Sequence, residues 1–100
     1  MNKDAVLQQI DGFVRATFQV PTDDPDFGNN VHLFDYGYID SFGAQQLIEH
    51  IEATYKIAIS NDDLVKFPLN TLNEISEFVV DRQAALVERF GLVVAALVAV

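Results

Sequence analysis

Residues 33–51 read Leu33-Phe34-Asp35-Tyr36-Gly37-Tyr38-Ile39-Asp40-Ser41-Phe42-Gly43-Ala44-Gln45-Gln46-Leu47-Ile48-Glu49-His50-Ile51. The pattern changes at Asp40. Before it, apolar residues are interrupted by Asp, Tyr and Gly without a sustained strand or helix period. After it, Ala44, Leu47, Ile48, Ile51 and Tyr55 recur at three- and four-residue steps, with Gln45, Gln46, Glu49, Glu52 and Ala53 on the opposite side. This predicts an amphipathic helix from about Ser41 to Tyr55 whose outward face is polar. Asp40 and Ser41 are both able to cap its first turn, and Lys56 suits its negative end.

Upstream, Pro21 to Asp40 holds two prolines, two glycines and two asparagines and reads as a long loop. Val31, Leu33, Phe34, Tyr36 and Ile39 are expected to pin its second half to a core, leaving mobility around residues 22–30. Such a loop in a small domain is commonly functional. Before it, Val6, Leu7, Ile10, Phe13, Val14 and Phe18 form the stripe of a helix from about Lys3 to Gln19, stopped by Pro21. Downstream, Ile57 and Ile59 alternate too briefly for a strand. Ser60 with Asp63, and Thr71 with Glu74, have the capping-box form. They open a short helix over residues 62–67, stopped by Pro68, and a last helix with Leu72, Ile75, Phe78, Val79 and Leu86 on its stripe. The expected fold is all-α: a small bundle of three main helices plus one short one, with a long loop between the first and second.

The chain has 100 residues, six Lys and Arg against 15 Asp and Glu, a net charge of −9, and no cysteine. One core fits this length, with little room for an enclosed substrate cavity and a closing lobe, which argues against a self-sufficient enzyme. So few scattered cations argue against nucleic acid, and a basic protein surface fits better. Without cysteine there are no disulfides, thiolate metal sites or thiol catalysis, which is compatible with a cytoplasmic location. The N-terminus lacks the apolar stretch of a signal peptide. The uncharged run from Phe90 to Val100 is about half of the ~20 residues that span a bilayer, so no membrane span is expected.

The feature with chemical promise is the Ser41 hydroxyl, preceded by a carboxylate, at the exit of the loop. Taken alone, Asp40 and Ser41 read first as a helix cap. A serine nucleophile needs a base, and His32 and His50 are the two histidines. His50 lies nine residues on, roughly 13 Å along the helix, out of reach. His32 lies in the loop, but no strand-to-helix elbow or oxyanion hole is visible. Asp23, Asp24 and Asp26 have the spacing of a calcium loop without its distal glutamate, and a solvated loop is expected.

The run from Leu33 to Phe42 resembles the attachment motif of acyl carrier proteins and peptidyl carrier domains, a Gly-x-x-Asp-Ser-aliphatic core. The similarity continues through Leu47, Ile51, Tyr55, Ile57 and Ile59, Asp62 and Asp63, and Thr71 to Val79. It covers about residues 4–81. The resemblance implies that Ser41 carries 4′-phosphopantetheine, transferred from coenzyme A by a phosphopantetheinyl transferase with Mg²⁺ at the transferase site. Asp40 would serve transferase recognition. The chain would be a non-catalytic carrier that tethers acyl or aminoacyl groups as thioesters. Its further partners would be acyl- or aminoacyl-activating ligases and acyltransferase or synthase enzymes of a lipid, secondary-metabolite or cell-envelope pathway. The alternative is an unmodified carrier-fold adaptor that docks onto a partner enzyme.

No Lys or Arg occurs from residue 16 to 55, while seven acids do, a one-sign field that can steer the domain onto basic enzymes. Phe42, Gln45, Glu49 and Glu52 are the expected partner contacts. Phe42 replaces the usual leucine, Gly43 stands where many fatty-acid carriers have an acid, and Gln46 where they have a glutamate. The run Asp-Ser-Phe-Gly-Ala-Gln-Gln-Leu is more similar to stand-alone carriers such as the D-alanyl carrier protein. An acyl chain entering the bundle would pass between Leu47, Ile51, Leu64 and Phe67. Phe42 and Phe67 are expected to obstruct that mouth, favouring a short or polar cargo held outside.

The carrier-like domain is assigned to residues 1–85 and an apolar C-terminal extension to 86–100. An all-round apolar tail is expected to pack on the bundle, with dimer formation or an interfacial membrane contact as alternatives. The protein is expected to be a monomer unless the tail pairs two copies.

Overall fold

The computed structural model describes the backbone of residues 2–99 and the side chains of residues 2–86. The described chain is helical, in the order α1 (Lys3–Thr17), α2 (Ser41–Tyr55), α3 (Asn61–Lys66) and α4 (Leu72–Ala99), with no strand among the described residues. The all-α expectation and the order of three main helices and one short one are borne out. The proposed packing, dimer or membrane roles of the tail lie outside the described side chains.

Each helix begins where a side chain takes up orphan amides of its first turn. Asn2 caps α1 by accepting the Asp4 amide at 2.7 Å. Ser60 and Asp63 form a complete capping box on α3, Ser60 Oγ accepting the Asp63 amide and Asp63 Oδ2 the Ser60 amide. At α4, Thr71 Oγ1 accepts from the Glu74 amide at 3.1 Å, and Glu74 reaches one residue further back, to the Asn70 amide.

α2 has the expected bounds, while α1 and α3 end earlier than the sequence predicts. α1 stops at Thr17, well before Pro21, because Gln19 takes a left-handed conformation (φ 57°). The Val20 amide then donates back to the Arg15 carbonyl at 3.0 Å, and the Val20 side chain is buried, a Schellman-type ending without glycine. Lys56 closes α2 in the same left-handed conformation. Gln83 Nε2 on α4 donates to the carbonyl of Tyr55 at 2.7 Å, satisfying an end-of-helix acceptor from across the bundle.

The core is the meeting of three helical stripes. Val6, Ile10 and Val14 of α1 lie against α4, which contributes Leu72, Ile75 and Val79, and Leu47, Ile51 and Tyr55 close the third side. These side chains supply most of the burial, at about 1.5–3 kcal/mol each on the transfer scale. Ser76 is buried among them with its hydroxyl unpaired, an exception to the pairing of buried polar groups. On the α1–α2 side His50 stacks flat on Phe13, ring centroids 3.7 Å apart, with Nε2 3.0 Å from Gln9 Oε1. Burial holds its pKa below the usual histidine value.

The long loop is anchored throughout. Leu33 and Ile39 are buried as expected, but Tyr36 is 69% exposed, and Tyr38 takes the inward place instead. Tyr38 packs edge-on against Phe27 and donates its hydroxyl to Asp24 at 3.1 Å. Within residues 22–30 the structure places that contact, the buried Phe27 with the Arg15 guanidinium over its ring, and the Asn29 carbonyl, which accepts the Asn73 amide. An Asn73–Asn30 side-chain pair adds to this. The apolar content of residues 22–30 is low, and Phe27 is its one buried aromatic.

Candidate functional site

The loop delivers its last residues to the start of α2 by a set of tight turns. Leu33 is fixed first: its amide donates to the Asn70 carbonyl at 2.9 Å, and its carbonyl accepts the Ile39 amide. Between them, the Gly37 amide donates to Phe34 and the backbone of Gly37 takes φ +77°. A side chain at 37 would be strained by that dihedral even though nothing stands within 4 Å of where a Cβ would lie. The turn places buried Ile39 under the helix start and leaves Asp40 and Ser41 at the surface.

Asp40 is the N-cap. Its Oδ1 accepts the Gly43 amide at 2.7 Å and its carbonyl accepts the Ala44 amide at 2.8 Å. Ser41 follows as the first helical residue, exposed, on the positive end of a 15-residue helix. Phe42 is 74% exposed beside it. The glycine at 43 has a steric cause: a Cβ there would lie 2.7 Å from Phe18 Cε1 and 2.9 Å from Ile39 Cγ2. Gly43 is a site residue that sequence reading noted only as a departure; its burial depends on Phe18, beyond the end of another helix.

One turn further along α2 begins an apolar groove of about 410 Å³, between α2 and the α3 segment. Ala44, Leu47 and Ile51 form one wall, Leu64 and Phe67 the other, and Ile75 part of the floor. The four residues expected to line an entering chain are all there. Phe42 is not, so the expected obstruction at the mouth is reduced to Phe67.

The expected partner contacts divide. Phe42, Gln45 and Glu49 face solvent, with Gln45 Nε2 donating to Glu49 Oε1 at 3.2 Å. Glu52 does not: its Oε2 accepts the Ile59 amide at 2.9 Å, so it is half-buried and braces the α2–α3 connection. The outward position assigned to Glu52 is corrected. A helical wheel fixes the side of a residue but misses a backbone donor that the following loop folds back to it.

Neither histidine is arranged as a base for Ser41. His50 is engaged with α1 as described, and His32 is engaged with Asp35, Nδ1 accepting the Asp35 amide at 3.0 Å and Nε2 lying 3.6 Å from Asp35 Oδ2. In the aspartate-rich loop, Asp24 is occupied by the Asp26 amide and the Tyr38 hydroxyl.

An exposed primary hydroxyl on the positive end of a helix, beside an apolar groove, fits attachment of a phosphate-linked arm: the helix end favours the phosphodiester charge, and the groove can shelter what the arm carries. The family model described as "Phosphopantetheine attachment site" matches residues 8–79. The chain belongs to this family of phosphopantetheine-binding carrier domains, whose prosthetic group is 4′-phosphopantetheine and which are generally not catalysts themselves. Searches of curated proteins and of solved structures give no match. Among the described residues, no helix is long and apolar enough to cross a membrane.

Proposed function

We propose that Ser41 is the attachment residue and that the chain carries acyl groups of apolar character between enzymes. The observation that carries this reading is the exposed Ser41 hydroxyl, first in α2, one turn from the groove at Ala44. When bound, the arm supplies a terminal thiol that holds an acyl group as a thioester. The protein's own residues do the rest. Asp40 holds the first turn of α2 in shape and presents a carboxylate to the transferase, and the start of α2 favours the phosphate. Phe42, Gln45 and Glu49 provide the partner contact beside the hydroxyl.

An apolar cargo is preferred to an aminoacyl one on the groove's chemistry. Of the side chains that line it, Lys66 and Asn70 are the polar ones, and Lys66 is paired with Asp62 at 2.9 Å. An ammonium group would meet no free carboxylate there and would lose hydration, while each methylene buried returns about 0.8 kcal/mol. The transferring and acylating enzymes are read as cytosolic partners that meet the carrier transiently.

Incubation with coenzyme A, Mg²⁺ and a broad-specificity transferase, followed by intact-mass spectrometry, tests the attachment. The expected result is a gain of one phosphopantetheine, abolished in Ser41→Ala. No gain, or a gain that persists in Ser41→Ala, overturns it; an apo protein that still co-purifies with a partner enzyme favours the adaptor reading.

A further inference from the structure

α3 is held to the bundle unlike the other helices. None of its six residues is buried, and Leu64, Val65 and Phe67 are 41%, 85% and 43% exposed. Its attachment is a polar clamp to α4. Arg82 Nη2 donates to Asp63 Oδ1 at 2.7 Å and Nη1 to Oδ2 at 3.3 Å, and Nη1 also reaches the Ala58 carbonyl at 3.4 Å. The guanidinium lies over the Phe78 ring, 4.8 Å from its centroid, and Phe67 meets the same ring edge-on at 5.3 Å. Arg82 therefore holds both α3 and the segment that leads into it. Leu64 and Phe67, on the clamped segment, form the outer wall of the apolar groove.

We propose that the Asp63–Arg82 pair is a latch that keeps α3 closed over the groove, and that its release lets an apolar chain enter without disturbing the α1–α2–α4 core. This rests on the acyl-carrier reading for its purpose but not for its physics. Opening this segment gives up the half-covered Leu64 and Phe67 but no fully buried side chain of the core, so the two-pronged ion pair is a substantial share of what resists opening. The arginine fork has the geometry for a bidentate hold that lysine lacks. A chain too long for the closed groove of about 410 Å³ binds only while α3 is open, so loosening the latch tightens its binding by the factor by which the open fraction rises.

The apo protein tests the latch without any loading of Ser41, so failure of attachment and failure of the latch are separate results. Native-state amide exchange is compared between the wild type, Arg82→Met, which retains an apolar stem on Phe78, and Asp63→Asn, which retains the capping box. The amides of Leu64 and Phe67, bonded to Ser60 and Asp63 carbonyls, are expected to exchange at least about tenfold faster in both variants, with those of Leu47 and Val79 unchanged. Binding of cis-parinaric acid, a fluorescent eighteen-carbon fatty acid, is expected to tighten by about the same factor. Unchanged α3 exchange, an equal rise at all four amides, or unchanged fatty-acid binding each overturns the proposal. If Arg82→Met does not fold, Asp63→Asn alone decides by the same readings.

Discussion

Gly43 lies against the Phe18 ring so closely that a Cβ at residue 43 would stand 2.7 Å from Phe18 Cε1. The ring edge can swing away, but Ile39 Cγ2, 2.9 Å from the same point, belongs to a side chain that is 2% exposed and cannot. The start of α2, and with it Ser41, is therefore seated on a contact that no larger residue at 43 fits. Gly43→Ala is expected to destabilise by about 1–3 kcal/mol through overpacking, despite alanine's better helix propensity. Gly12, in α1, has open space where a Cβ would stand, with nothing within 4 Å, and supplies the control. Gly12→Ala is expected to stabilise by up to about 1 kcal/mol. Urea unfolding of both variants checks the pair, and equal shifts would refute the steric account.

Asp40 has two proposed tasks that substitution can separate. As the cap it accepts the Gly43 amide, and Asp40→Ala is expected to cost about 1 kcal/mol, whereas Asp40→Asn caps almost as well. If the carboxylate charge also serves the transferase, Asp40→Asn will load slowly while unfolding like the wild type. Loading rates by mass spectrometry set beside thermal midpoints make the comparison; wild-type loading of Asp40→Asn would leave Asp40 as a cap alone.

Glu49 and Glu52, alike in sequence and both on α2, are expected to behave differently. Glu49→Lys changes an exposed side chain and should leave stability within about 0.5 kcal/mol while slowing partner transfer at low salt. Glu52→Ala removes the acceptor for the Ile59 amide and should cost about 1–2 kcal/mol, because the hydrogen bond is to a charged group and the connection is half-buried. Denaturation together with transfer kinetics checks both; a stability loss in Glu49→Lys as large as in Glu52→Ala would contradict the assignment.

The hydrogen bonds of Arg82 hold the Asp63 carboxyl from the usual 3.8 down to about 2. The folded protein therefore binds that proton less readily than the unfolded chain. The resulting stability is fully present above about pH 4, and is lost as pH falls through the folded value near 2. Urea midpoints measured from pH 5 to pH 2 should fall in the wild type and fall less in Arg82→Met, in which Asp63 titrates closer to its ordinary value. Parallel curves would show that the pair does not govern the acid limb.

Local chemistry made much of this legible. The Asp40 and Ser60 caps and the bounds of α2 follow from spacing and capping rules that act within a few residues; the groove residues Leu47, Ile51, Leu64 and Phe67 follow from the resemblance to carrier domains. Long-range contacts hid the remainder. Arg82 lies 19 residues from Asp63 and Gln83 lies 28 from Tyr55, so neither tie has a sequence signature. Gly43 looked like a missing acid until Phe18 was placed against it. Glu52 looked outward on the wheel until the chain after Tyr55 folded back to present the Ile59 amide. Tyr36 and Tyr38 flank the Gly37 turn, which sends Tyr36 to solvent and Tyr38 against Phe27, a reversal that alternation along the sequence does not reveal.

The groove makes the cargo testable. On the proposed attachment at Ser41, the near end of the groove is Ala44, and the walls beyond, Leu47 and Ile51 on one side and Leu64 and Phe67 on the other, are apolar. Eight carbons occupy roughly 220 Å³ at liquid-hydrocarbon density, well inside the approximately 410 Å³ present. At about 0.8 kcal/mol for each buried methylene, an octanoyl chain has several kcal/mol of reason to enter, against the entropy of ordering it; an acetyl group has almost none. Amide chemical shifts of the holo, acetyl and octanoyl forms should therefore differ at Ile51, Leu64 and Phe67 in the octanoyl form alone, with α1 residues such as Val6 and Ile10 unmoved. An alanyl form should match the acetyl one, since its ammonium stays in water. Octanoyl shifts confined to the neighbourhood of Ser41 and Phe42 would place the chain outside the bundle and return the preference to a short or polar cargo.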